Sequence, residues 1–130
     1  MKKRLFCIAL SMLVCLLAAC SAPAAPTVYQ KITPEQAKAR MDEGKPYILL
    51  DVRTEEEFQE RHIDGAILIP DYEIGSRAAA ELPDKKALLL LYCRSGRRSA
   101  HAAQELIGMG YTNVYDFGGI IDWPYDTVGE

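Results

Sequence analysis

The chain has 130 residues, with 15 lysines and arginines against 18 aspartates and glutamates, which gives a formal net charge of −3 at pH 7. This acidic balance argues against a nucleic-acid partner, because proteins that bind nucleic acids carry clustered positive charge. The only histidines are His62 and His101, and nothing near them supplies a cluster of metal ligands. We therefore expect neither a metal site nor another cofactor.

The first 19 residues have the pattern of a secretory signal peptide. Basic residues at positions 2–4 precede an uncharged run over 5–19, which is shorter than the roughly 20 residues that a membrane-spanning helix needs. The run leads into Cys20, and the sequence Leu-Ala-Ala-Cys there resembles the cleavage site of bacterial lipoproteins. That resemblance implies that Cys20 carries the lipid and becomes the first residue of the mature chain.

We therefore expect an exported protein held by lipid on the extracytoplasmic side of the cell membrane, on the periplasmic face if the cell has two membranes. The predicted boundaries are a signal peptide over 1–19, the lipid anchor with a Pro/Ala-rich linker over 20–28, and one folded domain over 29–130. The alternative is an ordinary signal peptide, cleaved near Ala22 or Ala25, with Cys20 discarded.

Processing changes both the charge and the thiol content of the chain. Loss of residues 1–19 removes three basic residues and no acidic one, so the remaining net charge is −6. Cys7 and Cys15 leave with the signal peptide and Cys20 is acylated, which makes Cys93 the only free thiol and excludes an intramolecular disulfide. A solitary thiol in a non-reducing compartment favours a reactive role.

Strands and helices alternate along the rest of the chain. Thr33 with Gln36, and Thr54 with Glu57, are capping boxes that open two helices. Such alternation argues for an open parallel α/β sheet of about five strands with helices on both faces. The predicted elements, in chain order, are an edge strand over 29–32, a helix from Pro34 to about Glu43, an apolar strand over 47–50, a short helix to about Glu60, a buried strand over 67–69, a helix over 74–82, a central strand over 87–92, a helix over 99–109 and a last strand over 114–117.

The central strand leads into a loop that has the composition of a nucleophile's cradle. Gly96 allows the backbone to fold back, so the free N–H groups at the start of the next helix can face the sulfur of Cys93. Active sites of parallel sheets lie beyond the carboxyl ends of their strands, where this loop falls. The residues of the loop are Cys93, Arg94, Ser95, Gly96, Arg97, Arg98 and Ser99.

The charge of this loop indicates covalent sulfur chemistry. Its three arginines favour thiolate over thiol at Cys93 and attract an anionic substrate. Cationic neighbours and a helix N-terminus lower the pKa of a cysteine from about 8.5 into the range of about 3.5–7.5. The sequence therefore predicts a thiolate at neutral pH. The acidic residues Glu55, Glu56, Glu57, Glu60 and Asp64 are interpreted mostly as a solvated face.

Several short motifs stand in a fixed order along the chain. They are Asp51-Val52-Arg53, Glu57-Phe58, His62-Ile63-Asp64-Gly65-Ala66, Ile69-Pro70, the loop from Cys93 to Ser99, and Gly118-Gly119 followed by Trp123. In this order and spacing they resemble the motifs of a single-domain rhodanese, a sulfurtransferase. The resemblance covers about Ile32 to Trp123, and its one departure is Arg61, where the family usually has glycine.

The resemblance implies a reaction in two halves. Cys93 thiolate would attack the outer sulfur of a small anionic donor such as thiosulfate, sulfite would leave, and the Cys93 persulfide would pass its sulfur to a thiol or to cyanide. The backbone N–H groups from Ser95 to Ser99 would turn toward the sulfur as an anion nest. Thiols, or a thioredoxin-like protein, are the expected partners, and we expect a monomer.

The remaining polar residues receive narrower interpretations. Arg94 and Arg97 would hold the sulfonate oxygens of the donor, while Arg98 would brace the loop against an acidic residue such as Asp51. Ser99 is either the N-cap of the following helix or a hydrogen-bond donor to the sulfur. Asp51 with Arg53 is interpreted as a structural ion pair, His62 as a residue that bonds backbone in a turn, and Trp123 as core or rim packing that could also wall the pocket.

Three other functions stay open. A cysteine phosphatase or arsenate reductase has an arginine where this loop has Ser99, and the shorter loop suits sulfur better than a tetrahedral phosphate. A non-catalytic binding or sulfur-sensing module is the alternative from another class, although such modules often lack the cysteine. The third is a persulfide carrier or thiol redox protein that works with a thioredoxin-like partner.

Overall fold

A computed structural model describes residues 28–130. The predictions for the signal peptide, for Cys20 and for all of the linker except Val28 lie outside these residues. Within them, no helix combines the length and apolar character needed to cross a membrane. The elements are β1 (Gln30–Lys31), α1 (Pro34–Asp42), β2 (Ile48–Asp51), α2 (Glu55–Glu60), β3 (Ile67–Leu68), a 3₁₀ turn (Asp71–Glu73), α3 (Ile74–Glu81), β4 (Leu89–Cys93), α4 (Arg97–Gly108), β5 (Val114–Gly119) and a second 3₁₀ turn (Ile120–Asp122).

The five strands form one parallel sheet in the order β1-β5-β4-β2-β3. Each crossover between neighbouring parallel strands requires an intervening segment, and the helices supply most of these segments. The predicted fold, an open parallel α/β sheet of five strands, is therefore confirmed. Its central strand is β4, which carries Cys93 at its carboxyl end.

The two predicted capping boxes are confirmed. The Gln36 N–H donates to Thr33 Oγ1 over 3.1 Å at the start of α1. The Glu57 N–H donates to Thr54 Oγ1 over 3.3 Å at the start of α2. Both caps occupy amide groups that the helix itself leaves without a partner.

The sheet has helices on both faces, and β4 shows how the sequence divides between them. All five residues of β4 are buried. Because successive side chains in a strand point to opposite faces, Leu89, Leu91 and Cys93 join one core, and Leu90 and Tyr92 join the other. The Cys93 core is closed by α3 and α4, whereas the second core is closed by α1 and by the aromatic side chains of Phe117 and Trp123.

Two predicted elements differ from the observed ones. The strand at 67–69 was expected to be buried, but β3 is the edge of the sheet and Ile67 is exposed, so only Ile69 is fully buried. Helix α4 was expected to begin at Ser99, yet it begins at Arg97 because Gly96 takes the N-cap position. The first difference reflects tertiary position, which a local apolar pattern does not encode, and the second reflects the left-handed conformation of Gly96.

Candidate active site

Cys93 leaves the sheet at an irregularity between β4 and β5. Leu91 pairs with Asp116, but Cys93 pairs with Gly119, so β5 contains one residue more than β4 between the two pairs. Such bulges redirect a strand and are common beside active sites. The irregularity ends regular pairing at Cys93, whose side chain is free and only 1% exposed.

Gly96 supplies the backbone contact to the sulfur. Its φ of +107° is a left-handed conformation that residues with a side chain rarely adopt. In this conformation its N–H donates to Cys93 Sγ over 3.0 Å, and α4 begins at the next residue. We expected the N–H groups from Ser95 to Ser99 to turn toward the sulfur; among the described residues, the Gly96 N–H is the one that makes a hydrogen bond to Sγ.

Ser99 lies in the first turn of α4 and contacts the sulfur from the side. Its Oγ accepts a hydrogen bond from Cys93 Sγ over 3.4 Å. The same Oγ lies within donating distance of the Gly96 carbonyl, at 3.2 Å, and of the Gly118 carbonyl, at 3.3 Å. The side chain is fully buried. Of the two interpretations left open by the sequence, the N-cap is excluded because Gly96 occupies that position. Ser99 does contact the sulfur, but Cys93 Sγ is the donor in that contact and Ser99 Oγ the acceptor.

Gly119, at the end of β5, leaves space for the loop. A side chain at Gly119 would collide with the carbonyl of Arg94. The Ile121 N–H then donates to that same carbonyl over 3.3 Å. The carboxyl end of β5 and the 3₁₀ turn after it therefore hold the back of the cysteine loop in place.

The three arginines of the loop divide into two groups. The side chains of Arg94 and Arg97 are exposed, and in the part of the chain that the structure describes neither makes an ion pair or a side-chain hydrogen bond. The guanidinium of Arg98 instead donates to both carboxylate oxygens of Glu57, over 2.7 and 2.8 Å. The first pair is available to an anion, and Arg98 is committed to the protein.

Glu57 is the residue that braces the loop, which corrects two expectations. The sequence suggested Asp51 as the partner of Arg98, and it placed Glu57 on a solvated face. The hydrogen bond from Arg98, helped by the amide of Thr54, lowers the pKa of Glu57 from 4.5 to about 2, although partial burial opposes this. Glu57 therefore stays ionised and joins α2 to the start of α4.

Asp51 is instead paired with Arg53, as the sequence predicted for a structural ion pair. Arg53 donates from Nη2 to Oδ2 over 2.7 Å and from Nε to Oδ1 over 3.0 Å, and both side chains are buried. Burial disfavours the Arg53 cation, but the hydrogen bonds and charge of Asp51 outweigh it and raise the pKa of Arg53. Arg53 also donates to the carbonyl of Arg61. The φ of Arg61 is −166°, an extended conformation that does not require the glycine usual in the family.

Two further residues of the motif serve packing. His62 Nδ1 is 2.7 Å from the carbonyl of Phe58, and the two rings stack with centroids 3.8 Å apart. Its backbone forms a bridge with Val128. Trp123 packs against Phe117 in the core on the α1 side of the sheet, away from the face that Cys93 joins. Neither residue contacts the sulfur.

Asp116 is a residue near the site that the sequence interpretation passed over. It lies in β5 and is fully buried. Its Oδ1 accepts a hydrogen bond from the Gly118 N–H over 2.9 Å, whereas Oδ2 has no hydrogen-bond partner among residues 28–130. The available signal was an aspartate inside an otherwise apolar strand, between Tyr115 and Phe117.

Residues 33–124 match the family model of the rhodanese-like domain. The chain belongs to the rhodanese-like family. It is 44% identical to thiosulfate sulfurtransferase PspE of Escherichia coli K12 over 73 residues, which cover 56% of this chain and 70% of PspE. It is 34% identical to thiosulfate sulfurtransferase GlpE of Pseudomonas savastanoi over 93 residues, which cover 72% of this chain and 84% of GlpE.

Solved structures agree with this assignment. A rhodanese from E. coli, solved with anions, superposes with a TM-score of 0.61 at 39% sequence identity, and the match covers 65% of this chain and 100% of that one. Some curated relatives are longer, and this rhodanese-like chain covers 24% of their length. The family and the fold that the sequence motifs predicted are both confirmed.

Proposed function

We propose that this rhodanese-like domain is a sulfurtransferase that moves a sulfane sulfur from thiosulfate, or from a persulfide donor, to a thiol or cyanide through a persulfide on Cys93. The observation that carries the proposal is the cradle of the sulfur. Cys93 Sγ accepts a hydrogen bond from Gly96 at the N-terminus of α4, where the helix dipole also favours an anion. The relatives named thiosulfate sulfurtransferase support the same reaction.

In the first half of the reaction the Cys93 thiolate attacks the outer sulfur of thiosulfate. A bond forms between Sγ and that sulfur, the sulfur–sulfur bond of thiosulfate breaks, and sulfite leaves with the electron pair. In the second half an acceptor thiolate attacks the outer sulfur of the persulfide, and Sγ leaves as thiolate. Atoms and electrons balance without a metal or an external oxidant, and one displacement is replaced by two easier ones.

The loop contributes to each half. The Gly96 N–H stabilises the anionic sulfur before and after transfer. Ser99 Oγ lies beside Sγ and can donate to it as it leaves. We propose that the loop N–H groups that do not reach Sγ bind the outer sulfur of the persulfide, which would give the nest expected from the sequence a role in the loaded enzyme.

Arg94 and Arg97 would bind the sulfonate oxygens of thiosulfate. Their side chains are exposed on the loop, and charge-assisted hydrogen bonds from arginine are among the strongest polar contacts. Replacing either by glutamine should raise KM for thiosulfate about tenfold, which corresponds to about 1.4 kcal/mol. Arg61→Gln, at an exposed arginine outside the loop, is the control and should leave KM unchanged. An equal rise in KM in the Arg94, Arg97 and Arg61 variants would contradict the assignment of Arg94 and Arg97 to thiosulfate binding.

Phosphoryl transfer is disfavoured by the same geometry. A cysteine phosphatase needs an arginine where this chain has Ser99. That position is fully buried, and its side chain is already in contact with Cys93 Sγ and two carbonyls. An arginine side chain has no space there. Arg98, one residue earlier, is bound to Glu57.

Thiosulfate–cyanide turnover distinguishes the enzyme from a binding or sensing module. The wild-type protein should form thiocyanate, and Cys93→Ser should form none above the uncatalysed rate. Ser76→Ala, at an exposed serine on α3, controls for the handling of a variant and should retain full activity. A folded wild-type protein without turnover with thiosulfate or a persulfide donor would favour the module, while turnover retained in Cys93→Ser would exclude the Cys93 persulfide.

We propose in addition that lipid on Cys20 holds the domain at the extracytoplasmic membrane surface. The support is the sequence pattern at positions 2–20. Membrane fractions should contain the chain with an acylated Cys20 at its N-terminus, and Cys20→Ala should move the protein out of the membrane fraction. A mature chain that begins at or after Ala22 would instead identify an ordinary signal peptide.

A further inference from the structure

A groove lies along the carboxyl edge of the sheet, between the cysteine loop and the start of α1. Lys31 and the first turn of α1 form one wall, and the other wall is formed by Ser95, Gly96 and Arg97 of the loop. Because the Gly96 N–H also donates to Cys93 Sγ, the groove borders the residue that holds the sulfur. Its volume of about 710 Å³ is typical of clefts that bind small molecules, and it exceeds what thiosulfate needs.

Lys31 lies on the same face of the sheet as Cys93. It pairs with Asp116 on β5, which pairs in turn with Leu91 on β4. Paired residues of parallel strands point to one face, and Cys93 follows Leu91 by two residues on that face. Tyr29, two residues before Lys31, accordingly packs against the core that contains Cys93. Because neighbouring strands are about 4.8 Å apart, Lys31 is displaced from β4 by about 10 Å across the sheet.

The groove carries two cations that the fold does not use. Lys31 and Arg97 are exposed on opposite walls, and within residues 28–130 neither makes an ion pair or a side-chain hydrogen bond. The charge of Lys31 acts on the buried carboxyl group of Asp116, but no hydrogen bond joins the two. Asp122, also exposed, is the one acidic side chain that lines the groove. A small anion is therefore the ligand that the charges of the groove favour.

The charge of the whole domain favours a small anion over an acidic protein. Residues 28–130 contain 12 lysines and arginines against 18 aspartates and glutamates, a net charge of −6. An acidic protein surface would be repelled by this field over its whole area. A small anion inside the groove is exposed mainly to the nearby cations.

We propose that Lys31 determines which acceptor the enzyme uses: the acceptor is a small thiol that carries a carboxylate, and Lys31 and Arg97 bind that carboxylate in the groove. This inference rests on the sulfur-transfer function proposed above. Sulfite leaves before the acceptor arrives, so Arg97 can bind the sulfonate of the donor and then the carboxylate of the acceptor. Lys31 contacts the acceptor alone, because thiosulfate at the loop is too short to reach across the groove.

The step itself is the second half of the reaction. The thiolate of the acceptor attacks the outer sulfur of the Cys93 persulfide, the bond between the two sulfurs breaks, and Sγ leaves as thiolate. The acceptor departs as a persulfide, so atoms and electrons balance. Lys31 binds the far end of the acceptor and does not touch the reacting sulfurs. Its loss should therefore change the preference among acceptors.

The experiment compares 3-mercaptopropionate, which carries a carboxylate, with the uncharged 2-mercaptoethanol. For each protein, kcat/KM with the first thiol is divided by kcat/KM with the second, so the intrinsic reactivities of the thiols and the fraction of active protein cancel. Lys31→Gln should lower this ratio about tenfold, because one charged hydrogen bond to the carboxylate is lost. Lys31→Glu should lower it further and should favour cysteamine, whose amine is cationic.

Lys86→Gln is the matched control for charge. Lys86 is an exposed lysine shortly before β4, at the amino edge of the sheet and therefore far from the groove. Its replacement removes the same charge from the chain as Lys31→Gln does. The ratio should stay at its wild-type value.

Disulfide capture tests the groove without a sulfur donor. The Cys93 thiolate attacks one sulfur of a symmetrical disulfide, the disulfide bond breaks, and the second thiol leaves as thiolate. The chain is treated with the disulfide of 3-mercaptopropionate or with that of 2-mercaptoethanol, and intact mass follows the rate of capture. The ratio of the two rates should fall in Lys31→Gln and should not change in Lys86→Gln.

Three results would decide the matter differently. A ratio that Lys31→Gln leaves unchanged, in either assay, would overturn the role of Lys31. A reduced thioredoxin-like protein that discharges the persulfide with a higher kcat/KM than 3-mercaptopropionate, and loses that advantage in Lys31→Gln, would assign the groove to a protein and overturn the small acceptor. A wild type without sulfur transfer, but with disulfide capture that depends on Lys31, would contradict the proposed function alone.

Discussion

Two fully buried aspartates lie near the carboxyl edge of the sheet, and they are satisfied in opposite ways. Asp51, on β2, accepts four hydrogen bonds from the amide, Nε and Nη2 of Arg53, so its charge is matched by a buried cation. Asp116, on β5, accepts one hydrogen bond from a backbone amide and leaves Oδ2 without a partner in the described chain. The first carboxylate has a buried counter-ion, and the second has none among the described residues.

The comparison shows how burial alone fails to assign a role. A buried charge with a complete set of partners is structural, and removal of one partner leaves the other uncompensated. A buried carboxyl with an incomplete set has nothing beside it to compensate a full charge, and burial raises its pKa. Substitutions at Asp51, Glu57 and Asp116 should therefore change the free energy of unfolding by different amounts.

The largest effect is expected for Asp51→Asn. The change keeps the shape of the side chain but leaves the Arg53 guanidinium, 4% exposed, without a counter-charge. Breaking a buried pair in this way costs about 3–5 kcal/mol of unfolding free energy. Urea denaturation followed by circular dichroism measures it.

The control is the double variant Asp51→Asn with Arg53→Met, which removes both charges and should recover most of the loss. If Asp51→Asn alone lowers the unfolding free energy by less than about 1 kcal/mol, the Asp51–Arg53 pair does not stabilise the fold. The structural role that distinguishes Asp51 from Asp116 would then be wrong.

A smaller effect is expected for Glu57→Gln, which breaks the bidentate pair with Arg98. About a quarter of each side chain is exposed, so solvent screening limits the loss to about 1–2 kcal/mol. Because the pKa of Glu57 falls from 4.5 to about 2 on folding, the pair's contribution is complete above pH 4.5 and is lost as pH falls toward 2.

The measurement for Glu57 is therefore the difference in unfolding free energy between wild type and Glu57→Gln across this pH window. The difference should shrink toward zero with acid. Gln59→Glu, at an exposed position on the same helix, controls for charge on α2. A difference that is constant from pH 7 to pH 2 would contradict the ionised pair.

The smallest effect on stability is expected for Asp116→Asn. Folding raises the pKa of Asp116 above 3.8 through burial, so its contribution is complete in acid and is lost as pH rises from 3.8 through the folded value. The asparagine side chain has no charge to bury, so at pH 7 the variant should unfold with at least the wild-type free energy. Thermal unfolding from pH 4 to pH 8 tests this, and a loss above about 1 kcal/mol at pH 7 would mean that the carboxylate is structural.

The elements of the fold were predictable because they rest on local patterns. The capping boxes at Thr33 and Thr54 are complete in the sequence, and the apolar run that ends at Cys93 indicates a strand covered on both faces. The edge position of β3 was not predictable from the three apolar residues at 67–69, because the order of strands in a sheet is a tertiary property. The start of α4 depended on the left-handed Gly96, which fixes where the helix begins.

The candidate site was predictable where chemistry depends on sequential neighbours, and less so where it depends on distant ones. The loop residues from Cys93 to Ser99 are consecutive, and the structure brings Gly96 and Ser99 to the sulfur. Glu57, the partner of Arg98, is 41 residues away in the sequence. Because Glu57 lies in a run of acidic residues, the sequence did not indicate that it binds Arg98. Asp116 comes beside the cysteine strand only through the pairing of β5 with β4, where its partner is Leu91.

The most direct test of the central claim is the intact mass of the folded domain after exposure to thiosulfate and removal of excess donor. A persulfide intermediate predicts a gain of one sulfur atom, localised by peptide mapping to Cys93 and discharged when cyanide or a thiol is added. Cys93→Ser treated in parallel should gain nothing. An unchanged mass in a wild-type protein that nonetheless forms thiocyanate would contradict the account, because sulfur would then pass from donor to acceptor without residing on Cys93.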